Sequence, residues 1–357
     1  MSRRFASKRE TVPPVLSRVS LALAICACTV PALAQESPPI AISREVKDVF
    51  NRCGKGVVKI RGVDQHGEFA GTGFFADPTG TVYTAYSVGG EGESFTVEVD
   101  GKKLPAHVVL ADVRSGIALL KADLAPSPAL PIGSSSSLEV ATPVVTIGYP
   151  LDLPQTPSFG MIAGFDKKLL GRYLSTTHLR VNLPTQRGEA GAPLINFKGE
   201  VVGILVSSVE NGSACYALPI DAAEKIRNDW VRFGEARHGW VGIEVTEAEK
   251  AVEGSRAQMT EIIDDTPARD SGVEPGDILL QVGNKPIHEP EDVIDASFFI
   301  TAGDTVPVTV LRDGKKLTFN IASKLHPNID RKLIASPLSP SSQGIRLNFD
   351  NAARRTP

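Results

Sequence analysis

A chain of 357 residues is long enough for two ordinary domains. Hydrophobic residues make up 42% and charged residues 22%, which excludes a disordered chain. The formal charge is −3, and residues 1–34 hold five basic groups and one acidic, so the remainder is acidic and offers no electrostatic reason to expect nucleic acid or an anionic membrane as partner.

In chain order, residues 1–34 read as a secretory signal. Arg3, Arg4, Lys8, Arg9 and Arg18 surround the start of the apolar run "VSLALAICACTV", which is too short to span a bilayer, and "PALAQ" offers a cleavage site after Ala34. Twin-arginine export on "SRRFAS" and lipidation at Cys28 are the competing readings. Residues 35–41 form a linker. Ser43 is placed to cap a helix whose apolar face is Val46, Val49, Phe50 and Cys53, with Gly54 ending it. From there to about residue 220, short apolar runs such as "GVVKI", "TVYTAY", "SFTVEV", "PVVTIGYP" and "EVVGILVSSV" alternate with Gly, Pro, Asp and Ser, which predicts an all-β barrel or sandwich. Asp221 is expected to cap a helix ending near Gly234, and "EARHG" to act as a hinge. Residues 239–325 form a smaller unit of strands and helices. Residues 326–357 are rich in Pro and Ser, and a disordered tail is expected there.

Removal of the signal leaves Cys53 and Cys215, which in an oxidising compartment form a disulfide or remain two separate buried thiols. The histidines are scattered without ligand spacing, so neither a metal site nor a cofactor is expected.

Several ordered motifs at matching separations resemble the HtrA/DegP family of secreted serine proteases. They are "GTGFFADPTGTVYTAYSV", "ADVRSGIALLKA", "LPIGSSSSLEVATPVVTIGYPLDLPQTPSFGMIAGFDK" and "LRVNLPTQRGEAGAPLINFKGEVVGILVSS". Together with the later unit the resemblance runs from about residue 42 to 325. It implies a mainly β fold: a trypsin-like double β-barrel over 42–234 and an α+β PDZ domain over 238–325. It also implies a homotrimer. The departures fall on the chemistry. Ser87 holds the histidine place, Gly116 the aspartate place and Ala190 the nucleophile place. Alanine has no attacking atom, serine is no base near neutral pH, and glycine has no side chain. The amides of Gly188 and Ala190 remain as an expected oxyanion hole without a nucleophile. Glu189 reads as a solvated turn residue.

In the smaller unit, "GWVGIEV" and "DDTPARDSGVEPGDILLQVGNKPI" resemble the carboxylate-binding loop and core of a PDZ domain. Trp240, Val241, Gly242 and Ile243 are expected to present amides to a peptide carboxylate. Ile243 and Val245 should line the terminal pocket, with Val293 and Ser297 closing it from a helix. The expected function is a secreted or periplasmic pseudoprotease that binds protein C-termini or unfolded proteins. The alternatives are an active HtrA-like endopeptidase and a regulatory subunit of active paralogues.

Overall fold

The computed structural model describes residues 38–325, apart from 65–66, 91, 93, 170–171 and 210–213. The expected signal and tail lie outside the described residues. The first helix, α1 (Pro38–Cys53), begins at Pro38, so Ser43 lies inside it and is not its cap. Proline suits a first turn because its missing N–H has no helical partner there. The helix gives way at Gly54, as expected, to a short 3-10 turn.

Two closed barrels follow. The first has strands β1 (Val57–Asp64), β2 (Gly67–Phe75), β3 (Thr81–Ala85), β4 (Ser94–Val99), β5 (Lys102–Asp112) and β6 (Ile117–Ala122), with the short helix α2 (Tyr86–Gly89) after β3. They close in the order β1-β2-β3-β6-β5-β4. The second has β7 (Pro143–Gly148), β8 (Thr156–Leu169), β9 (Arg172–Val181), β10 (Pro193–Ile195), β11 (Val201–Val209) and β12 (Ala214–Pro219), closed as β10-β11-β12-β9-β8-β7. The apolar alternation of the sequence becomes the inside and outside of each barrel. In β4, Phe95, Val97 and Val99 are buried while Ser94 is exposed, as the period of two requires.

The next helix, α3 (Ile220–Phe233), starts at Ile220 after Pro219, so Asp221 sits in its first turn and accepts from Ser134 Oγ and Ser135 N–H instead of capping it. Gly234, at φ 79°, ends the helix in the left-handed region that glycine favours.

The last unit comprises β13 (Gly239–Trp240), β14 (Ile243–Val252), β15 (Ser255–Ile262), β16 (Ile278–Val282), β17 (Lys285–Pro286), α4 (Pro290–Phe298), β18 (Thr305–Arg312), β19 (Lys315–Ala322) and β20 (Lys324–Leu325). Its main sheet runs β14-β15-β16-β18-β19, which leaves β14 at an edge. Asp313 and Gly314, both at positive φ, make the expected hairpin turn between β18 and β19.

The segment read as a hinge is anchored. His238 is buried, and its Nε2 lies 3.0 Å from Asp112 Oδ1 at the end of β5. Thr301 Oγ1 donates to Asp229 Oδ1 of α3 at 2.8 Å. Helix α4 also docks on β8 and β9: Lys167 pairs with Asp292, Lys168 with Glu291, and Asp295 accepts from Thr176 Oγ1 and Thr177 N–H. Burial pushes the Asp112 carboxyl up, but hydrogen bonds from His238 and Ser115 outweigh it and hold the pKa below the usual range. The stability from this depression is full above the unfolded carboxylate pKa, about 3.9, and is lost as pH falls through the lower folded value. Asp112→Asn is therefore expected to flatten the acid limb of a urea-midpoint-versus-pH curve below about pH 4.

Candidate site: a cleft between the barrels and a groove on the sheet edge

The turn over residues 186–191 is stitched onto the first barrel. Thr72 N–H donates to Ala190 O at 3.1 Å and Thr72 Oγ1 to Gly188 O at 2.6 Å, while Gly191 N–H ties the turn to β11 of the second barrel through Leu205 O at 2.7 Å. A β-carbon on Gly191 would fall 2.3 Å from Thr72 O and 2.7 Å from Ala85 N, so glycine is obligatory there on space as well as on its φ of 86°. Tyr86 N–H donates to Gly116 O at 2.7 Å. The elements carrying Ser87, Gly116 and Ala190 thus adjoin one another: α2, the β5–β6 turn and the 186–191 turn.

What stands at these three positions is apolar, unpartnered or without a side chain. Ala190 packs against the first-barrel cluster containing Val58, Phe75, Ala85 and Val88. The Ser87 hydroxyl is buried with no hydrogen-bond partner among the described residues. Gly116 has φ 76°, and a β-carbon there would meet only Val206, at 3.7 Å. Space would admit a side chain; the left-handed backbone resists it.

Glu189 differs from its expectation. It is 3% exposed, and its Oε2 accepts Gln186 N–H at 2.7 Å, closing the turn from inside. Burial pushes its carboxyl pKa above the usual value, opposed by the Gln186 hydrogen bond. A carboxyl whose folded pKa is raised weighs nothing below its unfolded pKa and destabilises increasingly as pH rises through the folded one. Glu189→Gln is therefore expected to raise the urea midpoint at pH 8 more than at pH 4, by equilibrium unfolding.

Cys53 and Cys215 are not bridged. Both are free and buried. Cys53 lies in the cluster between α1 and the barrels, with Sγ on Gly199 O, and Cys215 lies inside the second barrel, with Sγ on Val181 O. Burial pushes both thiols up, Cys215 to about 12, so neither is a ready nucleophile. Their sequence positions gave no sign that they occupy different cores.

In the last unit, Val241 O accepts Ala268 N–H at 2.9 Å and Gly242 O accepts Ile263 N–H at 3.0 Å. A β-carbon on Gly242, at φ 86°, would lie 2.3 Å from Thr266 Cβ. The Ile263–Gly242 bond makes Ile243 and Ile262 a non-hydrogen-bonded pair, so Ile243 N–H and C=O point away from β15 toward the open edge of β14. Val241, Ile243, Val245 and Val293 pack against one core cluster, and α4 lies against β14 and β15. Trp240 pairs with Lys324 in the short β13–β20 ladder. Ser297 is drawn elsewhere: its hydroxyl accepts from Arg114 Nη2 of the β5–β6 turn at 3.1 Å and donates to Ile294 O.

Residues 71–204 match the family model of a trypsin-like peptidase domain, and residues 239–322 match that of a PDZ domain. Curated relatives named "Probable periplasmic serine endoprotease DegP-like" align over most of the chain. The one from Pseudomonas fluorescens is 29% identical over 281 residues, 75% of this chain and 59% of the relative. That from Rhizobium meliloti is 28% identical over 264 residues, 70% of this chain and 52% of the relative. The chain is a homologue of the DegP/HtrA serine endoproteases. It spans little more than half the length of these two relatives. Among solved structures, the HtrA-type protease AlgW with a tripeptide superposes with a TM-score of 0.69 at 21% identity, covering 80% of this chain and 98% of that one. A serine endoprotease from Yersinia pestis does so with a TM-score of 0.61 at 26% identity, covering 79% and 98%.

This DegP/HtrA homologue therefore has the mainly β double barrel and PDZ domain that its motifs imply. Sequence reasoning missed the buried state of Glu189, the His238–Asp112 contact and the engagement of Ser297. Each depends on a partner distant in the chain or on burial that no local pattern signals.

Proposed function

We propose that this chain is a periplasmic pseudoprotease that binds the C-termini of peptides or unfolded proteins through its PDZ groove and does not hydrolyse them. The observation that carries this reading is Ala190, which we assign to the nucleophile place, packed into apolar surroundings in a turn held by backbone hydrogen bonds to Thr72 and Leu205. Nucleophilic catalysis needs an attacking atom, a base and a group that orients the base; Ala190, Ser87 and Gly116 supply none of these. The proteolytic activity in the relatives' names is therefore not carried over. Their periplasmic naming and the signal-like residues 1–34 together support export.

The groove supports binding. In this reading the amides of Val241, Gly242 and Ile243 receive the carboxylate; the open edge of β14, toward which Ile243 N–H points, supports it. Ile243, Val245 and Val293, partly buried against one core cluster, are the side chains this reading sets against an apolar last residue, whose burial contributes roughly 1.5–3 kcal/mol. Affinity in the micromolar range, on the order of 8 kcal/mol, is expected. Calorimetry on the full chain with free-acid and amidated forms of one peptide ending in Val tests this. The free acid should bind at least about tenfold more tightly, because the charge-assisted bonds to the terminus are lost on amidation. Equal affinity for the two forms would refute carboxylate capture.

A further inference from the structure

Glu244 and Glu261 stand directly opposite each other across β14 and β15, next to the inward pair Ile243–Ile262. Both are exposed. Like charges in directly opposed positions destabilise an antiparallel pair. Among the described residues no ion pair relieves them, whereas nearby Glu247 pairs with Arg256 and Glu253 with Lys316. Glu244 of this unrelieved pair lies on β14, whose outer edge is open and is the edge toward which Ile243 N–H and C=O point; Glu261 lies one strand behind it.

Strand geometry relates the pair to a bound peptide. An antiparallel strand added to β14 places each of its residues opposite one of β14, with side chains of opposed residues on the same face. A last residue seated opposite Ile243 sends its side chain into the groove. The penultimate residue then stands opposite Glu244, on the face that carries both carboxylates, with strands about 4.8 Å apart. A long cationic side chain there reaches both carboxylates; an acidic one meets two like charges.

We propose that Glu244 and Glu261 set specificity at the penultimate position, selecting peptides that end in a basic residue followed by an apolar one. The inference rests on the reading of the groove as a terminus-binding site. Each exposed pairing is modest, so the preference is expected to be about threefold per step from Glu to Gln to Lys, and about tenfold overall, at low salt.

The test is titration of the full chain with free-acid peptides identical except for Lys, Gln or Glu before a terminal Val, together with the amidated Lys peptide. The expected order is Lys, then Gln, then Glu, with the spread shrinking as salt rises from about 0.02 to about 0.5 M. The double substitution Glu244→Gln and Glu261→Gln should erase the ranking, leave the Gln peptide's affinity unchanged, and leave the circular dichroism of the chain as it was. Equal affinity for the Lys and Glu peptides, with the free acid still favoured over the amide, would overturn the specificity assignment alone. Failure of amidation to weaken binding would instead overturn the groove reading, and the specificity assignment with it.

Discussion

Purified protein is expected to leave an unfolded casein-like substrate intact over a day at neutral pH, and Ala190→Ser is expected to do no better. On the proposed reading Ser87 holds the histidine place, so the restored hydroxyl would have no base; the Ser87 hydroxyl itself has no partner among the described residues. In measured triads, loss of the nucleophile or the base alone costs about a million-fold in kcat, nearly as much as loss of all three members. Restoring one member therefore gains almost nothing. The combination Ser87→His, Gly116→Asp and Ala190→Ser is the smallest set that rebuilds the chemistry. Its weak point is position 116, where φ is 76°. A left-handed residue other than glycine costs roughly 1–2 kcal/mol, and its side chain leaves the backbone in a different direction from one in an ordinary conformation. The triple variant is expected to stay many orders of magnitude below an ordinary protease, as read by release of acid-soluble fragments from labelled casein. Wild-type turnover that survives Ala190→Val would show a nucleophile elsewhere.

The second large effect concerns the join between barrels and PDZ domain. Phe298, at the end of α4, is fully buried in the cluster that also holds Tyr83, Ile117, Leu119 and Ile226 of the barrel region. The His238 ring lies 5.6 Å from it and the Phe299 ring 5.5 Å, with the guanidinium of Arg114 5.8 Å and Lys225 Nζ 5.9 Å from its centre. Phe298→Ala removes a large apolar side chain from beneath those two cations and is expected to destabilise by about 3–5 kcal/mol. Because the residue joins the units, the loss should also show as faster proteolytic nicking near residues 234–238. Phe233→Ala is the control: Phe233 is 41% exposed at the end of α3, and its removal should cost less than about 1 kcal/mol. Urea unfolding of the two variants side by side measures the difference. A cost for Phe298→Ala no larger than the control's would mean that the units are not coupled through this residue.

The strands were legible in the sequence because a strand's inside and outside are written at a period of two, as in the buried Phe95, Val97 and Val99 of β4, whereas that pattern left barrel and sandwich open and the double barrel came from the resemblance. The spaced motifs pointed to Ser87, Gly116 and Ala190, and in the structure the segments that carry them lie side by side. Charge and burial at single residues were not legible. Glu189 looks like a turn carboxylate, yet neighbours from the barrel interface enclose it, and Gly148 lies close enough that a β-carbon there would touch Glu189 Cγ at 3.2 Å. His238 sits in a polar, Gly-flanked stretch that resembles a linker, and only the approach of Asp112, 126 positions away, makes it an anchor. Cys53 and Cys215 invite pairing by count, but the fold assigns them to separate cores. Ser297 has the right helical spacing from Val293 for the groove, but Arg114 from the first barrel engages it. In each case the deciding partner is distant in sequence, where periodicity and turn chemistry carry no information.

The central claim, capture of a chain terminus without cleavage, is tested most directly by one titration read in two ways. The full-length protein is titrated with a free-acid peptide ending in Lys-Val, and the peptide is then recovered for intact-mass spectrometry after a day with the protein. Saturable binding in the micromolar range with the peptide mass unchanged is the expected result. Shorter fragments accumulating with wild-type protein and persisting after Ala190→Val, or the absence of saturable binding, would contradict it.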